Sequence, residues 1–245
     1  MNRSGLAGMI AALALAVTGA CGRHAAAPAE LQPKAYGAAI VLVSGEKQVA
    51  GVGAALDQPV VVQVNDAKGA PVPGALVRLA AAGSVRFLPD RGLTGSDGQF
   101  TAGVSLGSSA GRYQIVASTA GGSGKRAEVR VEEIALGYRE TLGQQINAIH
   151  CIRCHDSEST PERVSNHDNL KAQPHSFTEG AIMNSMSDAA LVAMIGHGGA
   201  ALNKSAEMPP YGNTLTPAEI DALVAFIRAV ADPPYRPQGV FDASN

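Results

Sequence analysis

Cys151-Ile152-Arg153-Cys154-His155 closes a stretch that begins near Tyr138 and carries Leu142, Ile146 and Ile149 at helical spacing. That period predicts a helix over about 138–150 with two thiols and an imidazole at its end. Further on, Ser187 stands as a cap before an apolar run from Asp188 to about Ile195, a second helix stopped by Gly196. Thr216-Pro217-Ala218-Glu219 has the form of a capping box with Pro at the first helical position. Behind it Ile220, Leu223, Val224 and Ile227 mark one face of a third helix, and Asp232-Pro233-Pro234 ends it. Residues 134–235 therefore read as an all-α unit.

Upstream the period falls from about 3.6 to two. Short runs at Ala39–Val43, Val60–Val64, Ala75–Leu79, Val85–Leu88, Phe100–Leu106, Tyr113–Ser118 and Ala127–Val131 are separated by turn residues such as Asp66-Ala-Lys-Gly69, Pro71-Val-Pro-Gly74 and Ser96-Asp97-Gly98. About seven such strands predict an antiparallel β-sandwich over 38–133. Asp66, Asp90 and Asp97 read as turn formers rather than a calcium site. With no His or Cys between 38 and 133, the sandwich reads as a spacer, docking or adhesion module.

Composition narrows the function. The 245 residues hold 19 Lys+Arg and 21 Asp+Glu, a balance unsuited to a general nucleic-acid binder. An apolar content of 46% excludes a wholly disordered chain, and three Cys cannot make a disulfide-dense scaffold. The charge is uneven: from Leu136 onward the net is -5, against +3 before it. Five of the six His and two of the three Cys lie in the acidic half.

Arg3, an apolar stretch from Leu6 to Val17 and then Thr18-Gly19-Ala20-Cys21 have the charged, apolar and small-residue order of an export signal over residues 1–20. The run into Cys21 resembles a bacterial lipoprotein signal, with Thr18 where that family usually has Leu. The resemblance implies a lipidated Cys21, and Gly22 carries no inner-membrane retention signal of the Asp kind, which favours the outer membrane. Simple secretion and an uncleaved anchor are the alternatives. Residues 21–37, rich in Ala and Pro, read as a tether, and 236–245 as a tail.

Four chemistries compete for Cys151, Cys154 and His155. A thioredoxin-like dithiol expects a βαβ setting that is absent here. Structural zinc needs a fourth ligand, which would have to be a distant His. A disulfide is compatible with export. Haem explains more: two thiols one helical turn apart add to its two vinyl groups, and the adjacent His reaches the iron. Met183, Met186, Met194, Met208, His150, His167, His175 and His197 are candidates for the sixth ligand. Met208 is favoured, because it lies in a loop and is held by Pro209-Pro210, and His197 ranks next.

With these pieces in order, residues 137–232 resemble class I cytochrome c domains. Gly143 matches the small residue where the family's first and last helices cross, with Leu223 and Phe226 opposite. Pro174-His175-Ser176-Phe177 resembles the loop whose carbonyl accepts a hydrogen bond from the iron-bound His, and Pro174 is taken as that acceptor in preference to Pro161. Asp156 replaces a common Gly, Asn147 a common aromatic, and Ser157–Gln173 lacks the usual Gly-rich segment. The run from Val60 to Asp66, then Pro71-Val-Pro-Gly74, Asp97-Gly98 and Gly111-Arg-Tyr113, resembles bacterial Ig-like domains of the invasin/intimin type.

The expected protein is multidomain, an all-β Ig-like sandwich followed by an all-α cytochrome c fold. The resemblance implies one covalent haem c on Cys151 and Cys154, with His155 and Met208 on the iron. It implies an electron carrier on the periplasmic side of the envelope rather than an enzyme, or the haem subunit of a larger oxidoreductase. Its partners are redox proteins with basic docking patches, and the membrane through Cys21. A haem enzyme or gas sensor with a displaceable sixth ligand, and an adhesion or scaffold protein led by the sandwich, are the other readings.

Overall fold

Alternation builds the first half: in Val60–Asn65 (β3) the valines at 60, 62 and 64 are buried and the residues between them are not. The protein is seen here as a computed structural model that describes residues 31–122 and 124–236. The expected signal peptide, Cys21, residues 21–30 of the tether and residues 237–245 of the tail lie outside the described residues.

The other strands are β1 (Ala39–Ser44), β2 (Val49–Gly51), β4 (Leu76–Ala81), β5 (Arg86–Leu88), β6 (Arg91–Leu93), β7 (Gln99–Ser105), β8 (Gly111–Ala120) and β9 (Arg126–Leu136). They form two sheets, ordered β1-β3-β7-β5 and β2-β9-β8-β4-β6. Val62, Val64, Val77, Phe100, Ile115 and Val131 fill the space between them. All seven expected strands are present. β2 and β6, three residues each, are too short for an alternation to show in the sequence, and β2 lies parallel to β9, so the sandwich is not wholly antiparallel. The Asp66 side chain is occupied by its own turn, accepting from the amides of Lys68 (2.8 Å) and Ala70 (2.9 Å). Asp97 likewise accepts from Gln99.

The expected boundary at 133–134 falls inside β9. That strand continues to Leu136, and only Gly137 separates it from α1 (Tyr138–Ile146). Ile134 and Leu136 belong to the apolar core of the helical half, together with Ile146, Leu223 and Ile227. Arg112 of β8 pairs with Glu132 and donates to the carbonyls of Ala229 (3.2 Å) and Ala231 (2.6 Å) at the end of α5 (Pro217–Val230). A cation there meets the unpaired carbonyls and negative end of the helix. Lys47 and Asp232 pair at 2.9 Å in an exposed position, which contributes little.

In the helical half, α1 passes into a π-helical turn (Asn147–Cys151) and then α2 (Ile152–His155), so the expected helix is longer than 138–150 and has a wider turn inside it. A 3-10 turn (His167–Asn169) and α3 (Gly180–Met183) follow. The last two helices are α4 (Asp188–Ala201) and α5. Ser187 caps α4 as expected, and Thr216 and Glu219 cap each other's backbone at α5. α4 runs past Gly196 and kinks at Gly198. Gly143 sits where α1 meets α5: a Cβ there would lie 2.7 Å from Phe226 Cβ, which bears out the expected crossing.

Glu133 is fully buried beside β2. Its Oε2 accepts from the Gln48 amide at 2.7 Å, while Oε1 has no partner. Burial, aided by the charges of Glu46 and Glu132, pushes its carboxyl up to about 7. The folded state therefore holds a proton that the unfolded chain releases near 4.5. Stability falls as pH rises between those values, by roughly 3 kcal/mol in all. Glu133→Gln should raise the thermal midpoint at pH 8 and change it much less at pH 5. Equal shifts at both values would show that Glu133 does not titrate there.

Candidate haem site

The second half encloses a cavity of about 500 Å³ whose walls are mostly apolar. Cys151, Cys154 and His155 line it from the π turn and α2, and Met208 from the segment between α4 and α5. Leu191 and Ile195 of α4 and Leu223 and Ile227 of α5 supply much of the apolar lining. Of the other candidates for a sixth ligand, His150, His175, Met183, Met186 and Met194 also line it, whereas His197 and His167 are not among the lining residues. Leu223, expected at the helix crossing, turns part of its surface to this cavity.

His155 is held on two sides. Its Nδ1–H donates to the carbonyl of His175 at 2.8 Å, which leaves Nε2 as the unprotonated nitrogen able to ligate a metal. The Phe177 ring packs against the imidazole with centroids 4.6 Å apart and planes tilted by 31°. Burial lowers the His155 pKa and keeps the ring neutral, outweighing the hydrogen bond to His175. The acceptor is thus the carbonyl one residue after Pro174. The Pro174 carbonyl instead accepts from His167 Nε2 at 3.2 Å, while Asp168 takes the other ring nitrogen of His167. The expectation for Pro174 is corrected to this extent: the loop is right, but the proline's carbonyl faces the 3-10 turn.

Both cysteines are free. Burial, with a smaller contribution from Cys154, pushes the Cys151 thiol up to about 12. The thiol is therefore neutral and compatible with the apolar wall it sits in. Among the described residues no three His, Cys, Asp or Glu side chains converge as a metal-binding group. The donor set instead suits a large apolar group joined through two thiols and one imidazole.

Beyond His155 the chain is fastened at Asp156. Asp156 adopts an extended backbone and pairs with Arg163 at 2.8 Å, and its carbonyl accepts from the Ser165 hydroxyl at 2.6 Å. Arg228 of α5 donates to the carbonyls of Met183 and Met186 and pairs with Asp188, which braces the wall between α3 and α4.

The Met208 segment lies against the kink of α4. The Gly199 amide donates to the Met208 carbonyl at 3.0 Å, and a Cβ on Gly199 would come within 2.1 Å of the Ser205 carbonyl oxygen. At Gly198 φ is +75°, and a Cβ there would meet the backbone of Met208, Pro209 and Pro210. Tyr211 follows the two prolines. Its hydroxyl donates to the His150 carbonyl at 2.9 Å, and its ring meets His150 edge-on with centroids 5.6 Å apart. Burial raises the Tyr211 pKa, so the hydroxyl stays a donor. Sequence reasoning gave no role of their own to the Phe177 and Tyr211 side chains. The paired glycines at 198 and 199, upstream of the Met208-Pro-Pro-Tyr211 run, were the available signal for close backbone packing.

Residues 139–227 match the family described as cytochrome c oxidase, cbb3-type, subunit III. The helical half contains a c-type cytochrome domain. Such a domain carries covalent haem c and is suited to electron transfer. None of the curated proteins matches this chain. Among solved structures, a family 2 glycosyl hydrolase from Bacteroides cellulosilyticus is 15% identical over 40% of this chain and 14% of its own, with a TM-score of 0.31. The Yersinia pseudotuberculosis adhesin InvE is 16% identical over 39% and 31%, at 0.32. The D00-D0 domain of intimin is 15% identical over 44% and 51%, at 0.31. The chain thus spans about half or less of each of these structures. Likenesses of this size carry no argument, and the sandwich is read from its own strand pairing.

Gly199→Ala should dislodge the Met208 segment from α4. The overpacking should cost about 1–3 kcal/mol in chemical denaturation, because the atom in the way is backbone. A variant as stable as the wild type would mean that the segment does not pack there.

Proposed function

We propose that this chain is an exported, lipid-anchored monohaem c-type cytochrome that passes single electrons between redox partners of the cell envelope. The observation that supports it most is that Cys151, Cys154, His155 and Met208 line one apolar cavity. Bound haem supplies a one-electron iron couple. The chain's own residues do the rest. Cys151 and Cys154 anchor the group, and the His175 carbonyl holds His155 with its Nε2 lone pair free. The Met208 thioether favours ferrous iron and holds the potential up. Leu223, Ile227, Leu191 and Ile195 give the cavity an apolar lining suited to a large hydrophobic group. The net charge of -5 from Leu136 onward favours partners with basic docking patches.

The family name favours a second reading, in which the chain is the haem subunit of a larger oxidoreductase. Co-purification from native membranes separates the two: a stable complex with other redox chains supports the subunit. Among the described residues no helix is long and apolar enough to cross a membrane. Membrane attachment in this proposal rests on Cys21.

The protein made with a c-type maturation system should gain the mass of one haem, and Cys151→Ala with Cys154→Ala should lose it. Met208→Ala should lower the reduction potential, abolish the weak far-red absorption of a ferric Met-ligated haem and confer carbon monoxide binding on the ferrous form. Wild-type protein that already binds carbon monoxide without denaturation would favour the gas-binding or enzymatic reading. An unchanged spectrum and potential in the variant would exclude Met208 as a ligand.

Cys21→Ser should move the protein from the membrane to the soluble periplasmic fraction. Retention on the membrane after that change would point to an uncleaved leader or a partner-held subunit.

A further inference from the structure

The two cavity walls that carry the candidate iron ligands are joined by a side-chain hydroxyl. Tyr211 stands three residues after Met208, and two prolines with fixed φ lie between them, so movement at residue 211 is transmitted to residue 208 with little slack. The Tyr211 backbone is fastened at both ends. Its amide donates to the Ile195 carbonyl at 2.9 Å, and its own carbonyl accepts from the amides of Thr214 and Leu215, each at 2.8 Å. From this fixed base the side chain crosses the cavity edge. The hydroxyl reaches the carbonyl of His150 at 2.9 Å, in the π turn and one residue before Cys151.

We infer that Tyr211 is a positioning residue for electron transfer, whose hydroxyl ties the Met208 segment to the haem-attachment turn and so sets how firmly Met208 is presented to the cavity. The inference rests on the proposed ligand role of Met208. A neighbouring contact separates it from simple packing. The ring meets His150 edge-on with or without the hydroxyl, so Tyr211→Phe keeps the shape of the wall and removes only the bond between its two sides. Burial of the Tyr211 ring in the cavity lining supplies stability; the hydroxyl supplies register between segments 61 residues apart.

The test compares the haem-loaded full-length wild type with Tyr211→Phe, Tyr211→Leu and Met208→Ala. Tyr211→Phe should keep one haem and a near-normal thermal midpoint. It should show a weakened far-red band, a lower potential and about tenfold tighter binding of added imidazole to the ferric form. Tyr211→Leu should show the same ligand changes with a lower midpoint, because the ring is lost too. If Tyr211→Phe matches the wild type in band, potential and imidazole affinity, the hydroxyl does not position Met208 and the inference falls. It falls equally if Tyr211→Phe only lowers the midpoint, since the role is then structural. If Met208→Ala itself leaves band and potential unchanged, the ligand assignment fails first, and the inference falls with it. A change in Met208→Ala with none in Tyr211→Phe rejects Tyr211 alone.

Discussion

At Gly143 the backbones of α1 and α5 approach so closely that a Cβ would stand 2.1 Å from the Ala222 carbonyl oxygen. No side chain fits there, and the rest of the helical half is arranged around that contact. Close approach brings Ile146 of α1 onto Leu223 and Ile227 of α5, and the end of β9 adds Ile134 and Leu136 to the same core. It also fixes the direction in which the chain leaves α1. The π turn that follows, with buried Asn147 at its start and buried Cys151 at its end, starts from a helix that cannot shift along its neighbour. The position of both thiols is therefore a consequence of a missing methyl group two turns upstream.

Around the cavity, most of the fastening is done by polar contacts to backbone behind apolar walls. The His175 carbonyl holds His155, the Gly199 amide holds Met208, and Arg228 holds the carbonyls of Met183 and Met186. This division follows from what the cavity must be. Its lining has to stay apolar for a large hydrophobic group, so the groups that fix its shape must sit one layer out, where their hydrogen bonds are made within the protein.

Much of this was legible in the sequence, for physical reasons. The Thr216–Glu219 box and Pro217 state a helix start in local chemistry alone, and the start of α5 is where they put it. The valines of β3 alternate because one face of the strand is buried, and a period of two survives any tertiary detail. The spacing of Cys151, Cys154 and His155 brought them to one cavity because a helical turn does so by itself. What was not legible depends on register between distant segments. Nothing local to Pro174 and His175 says which of two adjacent carbonyls faces the imidazole; that is decided when His167 claims the first. β2 is three residues long and exists because the end of β9 offers it a partner. The reach of β9 to Leu136 is likewise set by the helical core, which draws in Ile134 and Leu136.

The single residue between β9 and α1 has a consequence for how the molecule meets others. With Gly137 as the link, Ile134 and Leu136 inside the helical core and Arg112 bound to the end of α5, the sandwich and the helices are joined by packing as well as by the chain. The two halves belong to one compact unit. In the proposed electron carrier, a partner that gripped the sandwich would meet the cavity from a set side, and the β-sheets would help to aim the exchange of electrons.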